Sequence, residues 1–84
     1  MASKGESLLM ARRIAHPIRK TFGINVRQRR NELSLSQEEL AEKALLHQTY
    51  VSEIESAKRN VSLDNIGQIA DALNVSAASL LIPR

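Results

Sequence analysis

The stretch LAEKALLHQTYVSEIE, residues 40–55, decides the fold because it contains no glycine or proline and yet fits a single helix poorly. At about 100° per residue, a continuous helix would align Leu40, Ala44, Val51 and Ile54 on one face. The same helix would place His47 near the middle of that face and would turn Leu45 and Leu46 toward solvent. Burying a leucine stabilises a fold by roughly 1.5 to 3 kcal/mol, which outweighs the cost of a turn. The stretch therefore predicts two short helices separated by a break at residues 45–47, with both leucines directed inward.

Helix signals also precede this stretch. Apolar residues recur near the helical period from a proline onward and predict a first helix over residues 17–32. Gly23 lies inside that helix, which indicates either close packing or a local irregularity. Ser36 and Glu39 form a capping box, because each can accept a hydrogen bond from the backbone amide of the other. A second helix is therefore predicted to start at Gln37.

Further helix signals follow the stretch. Ser62 is placed to cap a helix whose left-handed end would be Asn74, and Ser76 is placed to cap a last short helix. No segment alternates apolar and polar residues between turn dipeptides, so strand signals are absent. The sequence therefore predicts an all-α fold, and its 84 residues are enough for one small domain.

Positive charge is concentrated at the start of the chain. Residues 1–30 hold eight of the twelve lysines and arginines against one acid, a net charge of +7. Residues 31–84 hold four bases and eight acids, a net charge of −4. A basic block beside an acidic body is typical of a protein that binds a polyanion through a focused face. The alternative is an ordinary solvated surface with a basic tail.

Other function classes find little support in the sequence. There is no cysteine, His16 and His47 stand alone, and no glycine-rich phosphate loop is present. We therefore expect no enzyme activity, no metal and no cofactor. The apolar runs are far shorter than the roughly 20 residues that cross a bilayer, so no membrane contact is expected. The first fifteen residues fit an organellar targeting peptide better than a secretory signal, but a cytoplasmic protein is the preferred interpretation.

Four motifs within residues 22–81 together carry a family resemblance. They are LSQEELA at 35–41, VSEIE at 51–55, Lys58-Arg59 ahead of Ser62, and IADAL at 69–73. The chain resembles the phage repressor and Cro type of helix-turn-helix regulator, also called the xenobiotic-response-element family. Its size is similar to that of the small controller proteins of restriction-modification systems. The resemblance implies a five-helix, lambda-repressor-like DNA-binding domain over residues 17–84, after a basic arm over residues 1–16.

The resemblance also implies roles for individual residues. The third helix, about residues 47–56, would lie in the major groove as the recognition helix. The residues expected to read bases are Gln48, Thr49, Ser52 and Glu53. The residues expected to contact phosphates are Gln37, His47, Tyr50, Lys58, Arg59 and Asn60.

Several of these residues could instead have no specific contact with DNA. Gln37 could be a solvated glutamine at a helix start, and residues 58–60 could be a generic basic loop. Tyr50 could partly cover the surface of its own domain. The arginines and lysine at positions 12, 13, 19 and 20 could form an arm along DNA, or a disordered tail that raises non-specific affinity.

The resemblance further implies an architectural ion pair between Arg30 and Glu55. Three positions depart from the family pattern: Leu45 and Ala57 replace glycines, and His47 replaces the usual serine or threonine cap. A left-handed leucine costs about 1 kcal/mol. These departures could shift the recognition side chains by one residue.

The function expected from this resemblance is sequence-specific transcriptional regulation. A homodimer would place two recognition helices about 34 Å apart on a palindromic operator in double-stranded DNA. Three apolar residues near the chain end, Leu80, Leu81 and Ile82, are the expected dimer surface, and the alternative is that part of this cluster closes the core. The alternative is an antitoxin or anti-regulator that uses the same fold to bind a partner protein.

Overall fold

The computed structural model describes residues 15–84, and this part of the chain is entirely helical apart from its turns and loops. The helices in chain order are α1 (Ile18–Glu32), α2 (Gln37–Ala44), α3 (Gln48–Glu55), α4 (Leu63–Leu73) and a 3₁₀ helix (Ala78–Leu81). The all-α prediction is confirmed. The count of five α-helices is corrected, because the last element is a 3₁₀ helix. It is only four residues long and Pro83, which has no amide hydrogen, follows closely.

Local capping fixes the starts of α2 and α4 as predicted. The amide of Glu39 donates to Ser36 Oγ at 3.0 Å, and the amide of Ser36 donates to Glu39 Oε1 at 2.9 Å. Hydrogen bonding from the Ser36 backbone amide, and to a smaller extent from the Ser36 side chain, lowers the pKa of the Glu39 carboxyl. At the start of α4, Ser62 Oγ accepts from the amide of Asn65 at 3.1 Å. Asn74 ends α4 in the left-handed conformation, with φ of 57°.

The predicted break between α2 and α3 is present at Leu45. This residue adopts φ of 59° and ψ of 42°, the left-handed conformation. The amide of Leu46 donates to the carbonyl of Ala41 at 2.8 Å and closes the end of α2. The expectation that both leucines face inward is half wrong. Leu46 packs against the core, but Leu45 is 83% exposed because it lies at the outer side of the chain reversal.

The hydrophobic core draws on every helix. Its buried members are Phe22, Val26, Leu40, Ala41, Ala44, Val51, Ile54, Ile69, Ala70, Leu73 and Leu80. Leu80 is 2% exposed within the protomer, which corrects its assignment to a dimer surface. The buried Asn25 of α1 explains this position, because its Nδ2 donates to the carbonyls of Leu80 at 2.9 Å and Ile82 at 2.8 Å. These two bonds hold the chain end against α1.

Gly23 allows α1 to approach the end of α3 closely. A Cβ atom at this position would lie 2.5 Å from the carbonyl oxygen of Ile54 and 3.1 Å from that of Glu55. Of the two alternatives expected at Gly23, close packing is the one that the structure shows. The α1–α3 contact therefore fixes the C-terminal end of the predicted recognition helix. None of the described helices is long and apolar enough to cross a membrane.

Candidate DNA-binding face

The helix α3 presents polar side chains to solvent and anchors itself by two buried residues. Val51 and Ile54 are at most 1% exposed and face the core. Gln48, Thr49 and Ser52 are exposed to solvent. Since residues three and four apart share a face of a helix, the buried pair fixes which side chains point outward. The residues predicted to read bases therefore lie together, with Glu53 partly exposed beside them.

The start of α3 is weakly capped. His47 stands at the N-cap position in an extended conformation, and its side chain makes no capping hydrogen bond. The imidazole is exposed. Without a serine or threonine there, the first amides of α3 lack the usual side-chain acceptor.

A buried ion pair holds the end of α3 against α1. Arg30 Nε lies 2.7 Å from Glu55 Oε2, and Arg30 Nη2 lies 2.9 Å from Glu55 Oε1. Hydrogen bonding to Glu55 raises the pKa of the Arg30 guanidinium. Arg30 Nη1 also donates to the carbonyl of Leu35 at 2.8 Å, so the same guanidinium holds the loop between α1 and α2. Two parallel bonds of this kind fix orientation as well as distance.

Gln37, at the start of α2, also contacts the Arg30–Glu55 ion pair. Its Nε2 donates to Glu55 Oε1 at 3.1 Å. The side chain is therefore partly engaged within the domain and spans from the first residue of α2 to the last residue of α3. An amide nitrogen carries two protons, so one remains for another acceptor.

A second ion pair lies on the outward side of α3. Arg59, in the loop after α3, has Nε 3.3 Å from Glu53 Oε2 and Nη2 3.3 Å from Glu53 Oε1. Its guanidinium carbon also lies 5.3 Å from the centre of the Tyr50 ring, within the range of a cation–π contact. Asn65 Nδ2 donates to the Tyr50 hydroxyl at 3.0 Å, which ties the ring to α4.

Sequence reasoning missed the connection between these residues. It assigned Glu53 to bases and Arg59 to phosphates separately, and it gave Asn65 no role. The available signal was opposite charge at positions six apart on the two sides of a helix end. Tyr50 is partly buried and packs against the core, so its ring does cover the surface of its own domain.

The loop after α3 turns without the glycine that the family pattern has there. Ala57 adopts φ of 62°, and its amide donates to the carbonyl of Ile54 at 3.0 Å. The amide of Lys58 donates to the carbonyl of Glu53 at 2.8 Å. The backbone therefore takes the left-handed conformation despite a side chain, as it does at Leu45. Lys58 and Asn60 follow with exposed side chains beside Arg59.

Two other predicted groups lie away from α3. Leu81 is partly buried against the core and Ile82 is 60% exposed. Within α1, Lys20 is exposed and Arg19 partly so. The remaining predicted arm residues, Arg12 and Arg13, lie outside the described residues.

A short helix with an outward polar face, anchored on a second helix and followed by a basic loop, defines a helix-turn-helix transcriptional regulator. A model of the helix-turn-helix family matches residues 26–80, and the chain belongs to this family. The family predicted from the motifs is thus confirmed.

Within this family, the chain is similar to controller proteins of restriction-modification systems and to a regulator solved in complex with DNA. Control protein C.BamHI of Bacillus amyloliquefaciens is 52% identical over 65 residues, which are 76% of this chain and 80% of that protein. The restriction-modification controller protein C.AhdI from Aeromonas hydrophila has a crystal structure that matches with a TM-score of 0.74 and 38% identity, over 77% of this chain and 98% of that chain. The master regulator for biofilm formation SinR, in complex with DNA, matches with a TM-score of 0.70 and 35% identity, over 73% and 98% of the two chains.

Proposed function

We propose that this protein is a controller-type regulator that binds a palindromic operator as a homodimer and acts in the cytoplasm. The observation that carries the proposal is the outward face of α3, where three exposed polar side chains stand above a buried anchor and beside a basic loop. The likeness to C.BamHI and C.AhdI supports a controller role, and the likeness to DNA-bound SinR supports the ligand.

The chemistry of the outward face suits the edges of bases in the major groove. The Gln48 amide can bond adenine N6 and N7 together, and the Thr49 methyl can contact the methyl group of thymine. The Ser52 hydroxyl can donate or accept, and the Glu53 carboxylate can accept from cytosine N4. These four side chains therefore supply donors, acceptors and an apolar contact on one short helix.

Phosphate contacts would surround this face. Lys58, Arg59 and Asn60 provide donors after α3, and the free proton of the Gln37 amide can reach a phosphate at the start of α2. His47 and Tyr50 would flank the groove. The N-terminal basic arm, which includes Arg12 and Arg13, would add sequence-independent attraction to the DNA backbone.

Leu80 is buried within the protomer, so the proposed dimer surface does not include it. An apolar groove of about 220 Å³ lies beside Leu81, and its lining includes Ile18 and Leu63. Leu63 is 84% exposed, and Ile82, which follows Leu81 in the chain, is 60% exposed. We infer that a second copy covers Leu81, Ile82 and Leu63. The signal for Leu63 is its helical phase, since it continues the inward row of α4 beyond the edge of the core.

Selection of bound duplexes from random DNA tests the proposal. The expected result is a palindrome whose half-site centres are separated by about 34 Å, or one helical turn, because a two-fold dimer presents two copies of α3. Binding of random duplex should weaken steeply with rising salt. Salt-insensitive binding to a protein, with no enriched DNA sequence, would instead support the antitoxin or anti-regulator alternative.

Two matched substitutions then separate base reading from phosphate contact. Gln48→Ala is expected to cost about 1 to 3 kcal/mol at one base pair of each half-site. Lys58→Ala should weaken all sequences alike and reduce the salt slope by about one. Uniform weakening by both variants would remove Gln48 from the base-reading set.

A further inference from the structure

On the outward side of α3, the Glu53 carboxylate binds Arg59 and would therefore compete with a DNA phosphate for this guanidinium. Arg59 belongs to the basic loop that the proposed function assigns to phosphates, yet both of its bonded nitrogens face the Glu53 carboxylate. The same guanidinium also lies within cation–π range of the Tyr50 ring. The side chain is therefore already engaged before any DNA is present.

The backbone of this loop is fixed, whereas the ion pair is weak. The amides of Ala57 and Lys58 donate to carbonyls of α3 and hold the loop at the helix end. The Arg59 and Glu53 side chains are 48% and 31% exposed. An exposed pair at 3.3 Å contributes little to stability, so a DNA phosphate can replace Glu53 as the partner of Arg59.

Release of Arg59 leaves the Glu53 carboxylate without its cation at the surface that would face the groove. A carboxylate held beside bases and phosphates needs a donor, because an unsatisfied charge there is unfavourable. In the major groove, cytosine N4 and adenine N6 offer such a donor, whereas guanine N7 and O6 and thymine O4 offer only acceptors. The replacement of partners is therefore favourable on some base sequences and unfavourable on others.

We propose that Glu53 holds Arg59 in the free protein and releases it to phosphate only where a base donates to the freed carboxylate. Arg59 thereby contributes to sequence specificity without contacting a base, and Glu53 acts as a specificity-determining residue through it. The proposal rests on the proposed DNA-binding function. It adds that the two residues act as one unit rather than as independent contacts.

A double-mutant cycle on DNA binding tests the proposal. The full-length wild type, Glu53→Gln, Arg59→Ala and the double variant are titrated with random duplex and with the selected operator over a range of salt concentrations. Glu53→Gln should bind random duplex up to about twofold more tightly, the limit set by the strength of an exposed ion pair. Its salt slope should steepen by about one, since the freed Arg59 gains one phosphate. The ratio of operator to random affinity should fall.

The background without Arg59 separates this proposal from simple charge repulsion. If Glu53 acts through Arg59, Glu53→Gln should leave random binding and its salt slope unchanged when position 59 is alanine. Glu42→Gln, which removes the same charge from an exposed position on α2, is the control for the general charge effect. Glu53→Ala should behave as Glu53→Gln does, which would show that the new amide is not itself the added contact.

The outcomes distinguish this proposal from the proposed function. Equal tightening by Glu53→Gln with and without Arg59, or no tightening at all, would overturn the proposal while DNA binding stands. A wild type that binds neither random duplex nor a selected sequence would overturn both. Circular dichroism of each variant shows that the compared proteins are folded.

Discussion

Helix α3 carries two glutamates that pair with arginines on opposite sides of the helix. Glu53 and Glu55 are two residues apart, which corresponds to about 200° around an α-helix. The Arg30 and Glu55 side chains are 11% and 3% exposed, whereas those of Arg59 and Glu53 are 48% and 31% exposed. The same two residue types therefore fasten the helix on its inner side and remain available to a ligand on its outer side. Burial, more than chemistry, separates the two roles.

The largest expected effect comes from breaking the inner pair. Glu55→Ala should lower the free energy of unfolding by about 3 kcal/mol, because it leaves the nearly buried Arg30 without its anion. It also removes the acceptor of Gln37. Urea denaturation followed by circular dichroism measures the change, with Glu42→Ala at an exposed position of α2 as the control. Unchanged stability together with altered base preference would show that Glu55 belongs to the DNA contact instead.

A close backbone contact between α1 and α3 lies beside the inner pair. Gly23→Ala should lower stability by about 1 to 3 kcal/mol, because its Cβ would lie 2.5 Å from the carbonyl oxygen of Ile54 and α1 must move. Gly67→Ala is the matched control within α4, where nothing lies within 4 Å of the added atom. It should raise stability by about 1 kcal/mol through helix propensity. Stabilisation by both substitutions would contradict the close approach of α1 to α3.

The features of the fold that depend on local spacing were largely predictable from sequence, whereas the features that depend on the path of the backbone were not. The capping box at Ser36 and Glu39 and the cap at Ser62 follow from residues three apart, so local spacing determines them. Helical phase likewise identified the break in residues 40–55. The exposure of Leu45 depends on the direction in which the chain reverses. Neither the periodicity of the sequence nor the residue types determine the direction of this chain reversal.

Long-range contacts account for the other differences. The burial of Leu80 depends on hydrogen bonds from Asn25, which lies 55 residues earlier in the chain. The pairing of Glu53 with Arg59 depends on the left-handed turn at Ala57, which brings the loop back beside α3. Leu80, Glu53 and Arg59 each had a plausible role of its own in the sequence, whereas Asn25 had none. Their combination became visible only when the path of the backbone was known.

Leu45 tests whether exposure rather than burial describes the turn before α3. Leu45→Gly should raise stability by about 0.5 to 1 kcal/mol, because glycine adopts the left-handed conformation without strain and little buried area is lost. Leu46→Ala is the companion variant and should lower stability, since Leu46 packs against the core. Thermal unfolding measures both. If Leu45→Gly were as destabilising as Leu46→Ala, the leucine would be contributing buried contacts.

The smallest expected effect on stability belongs to the outer pair. Glu53→Gln should change the free energy of unfolding by less than about 0.5 kcal/mol, because solvent screens a pair this exposed. Arg59→Ala should cost somewhat more, since it also removes the contact with the Tyr50 ring. Both values come from the same urea titrations that measure Glu55→Ala. A loss from Glu53→Gln comparable to that from Glu55→Ala would make the outer pair architectural as well. Breaking the Glu53–Arg59 pair would then cost more free energy than one exposed Arg59–phosphate contact contributes. Arg59 could not then exchange Glu53 for a phosphate in the way proposed for the DNA-binding face.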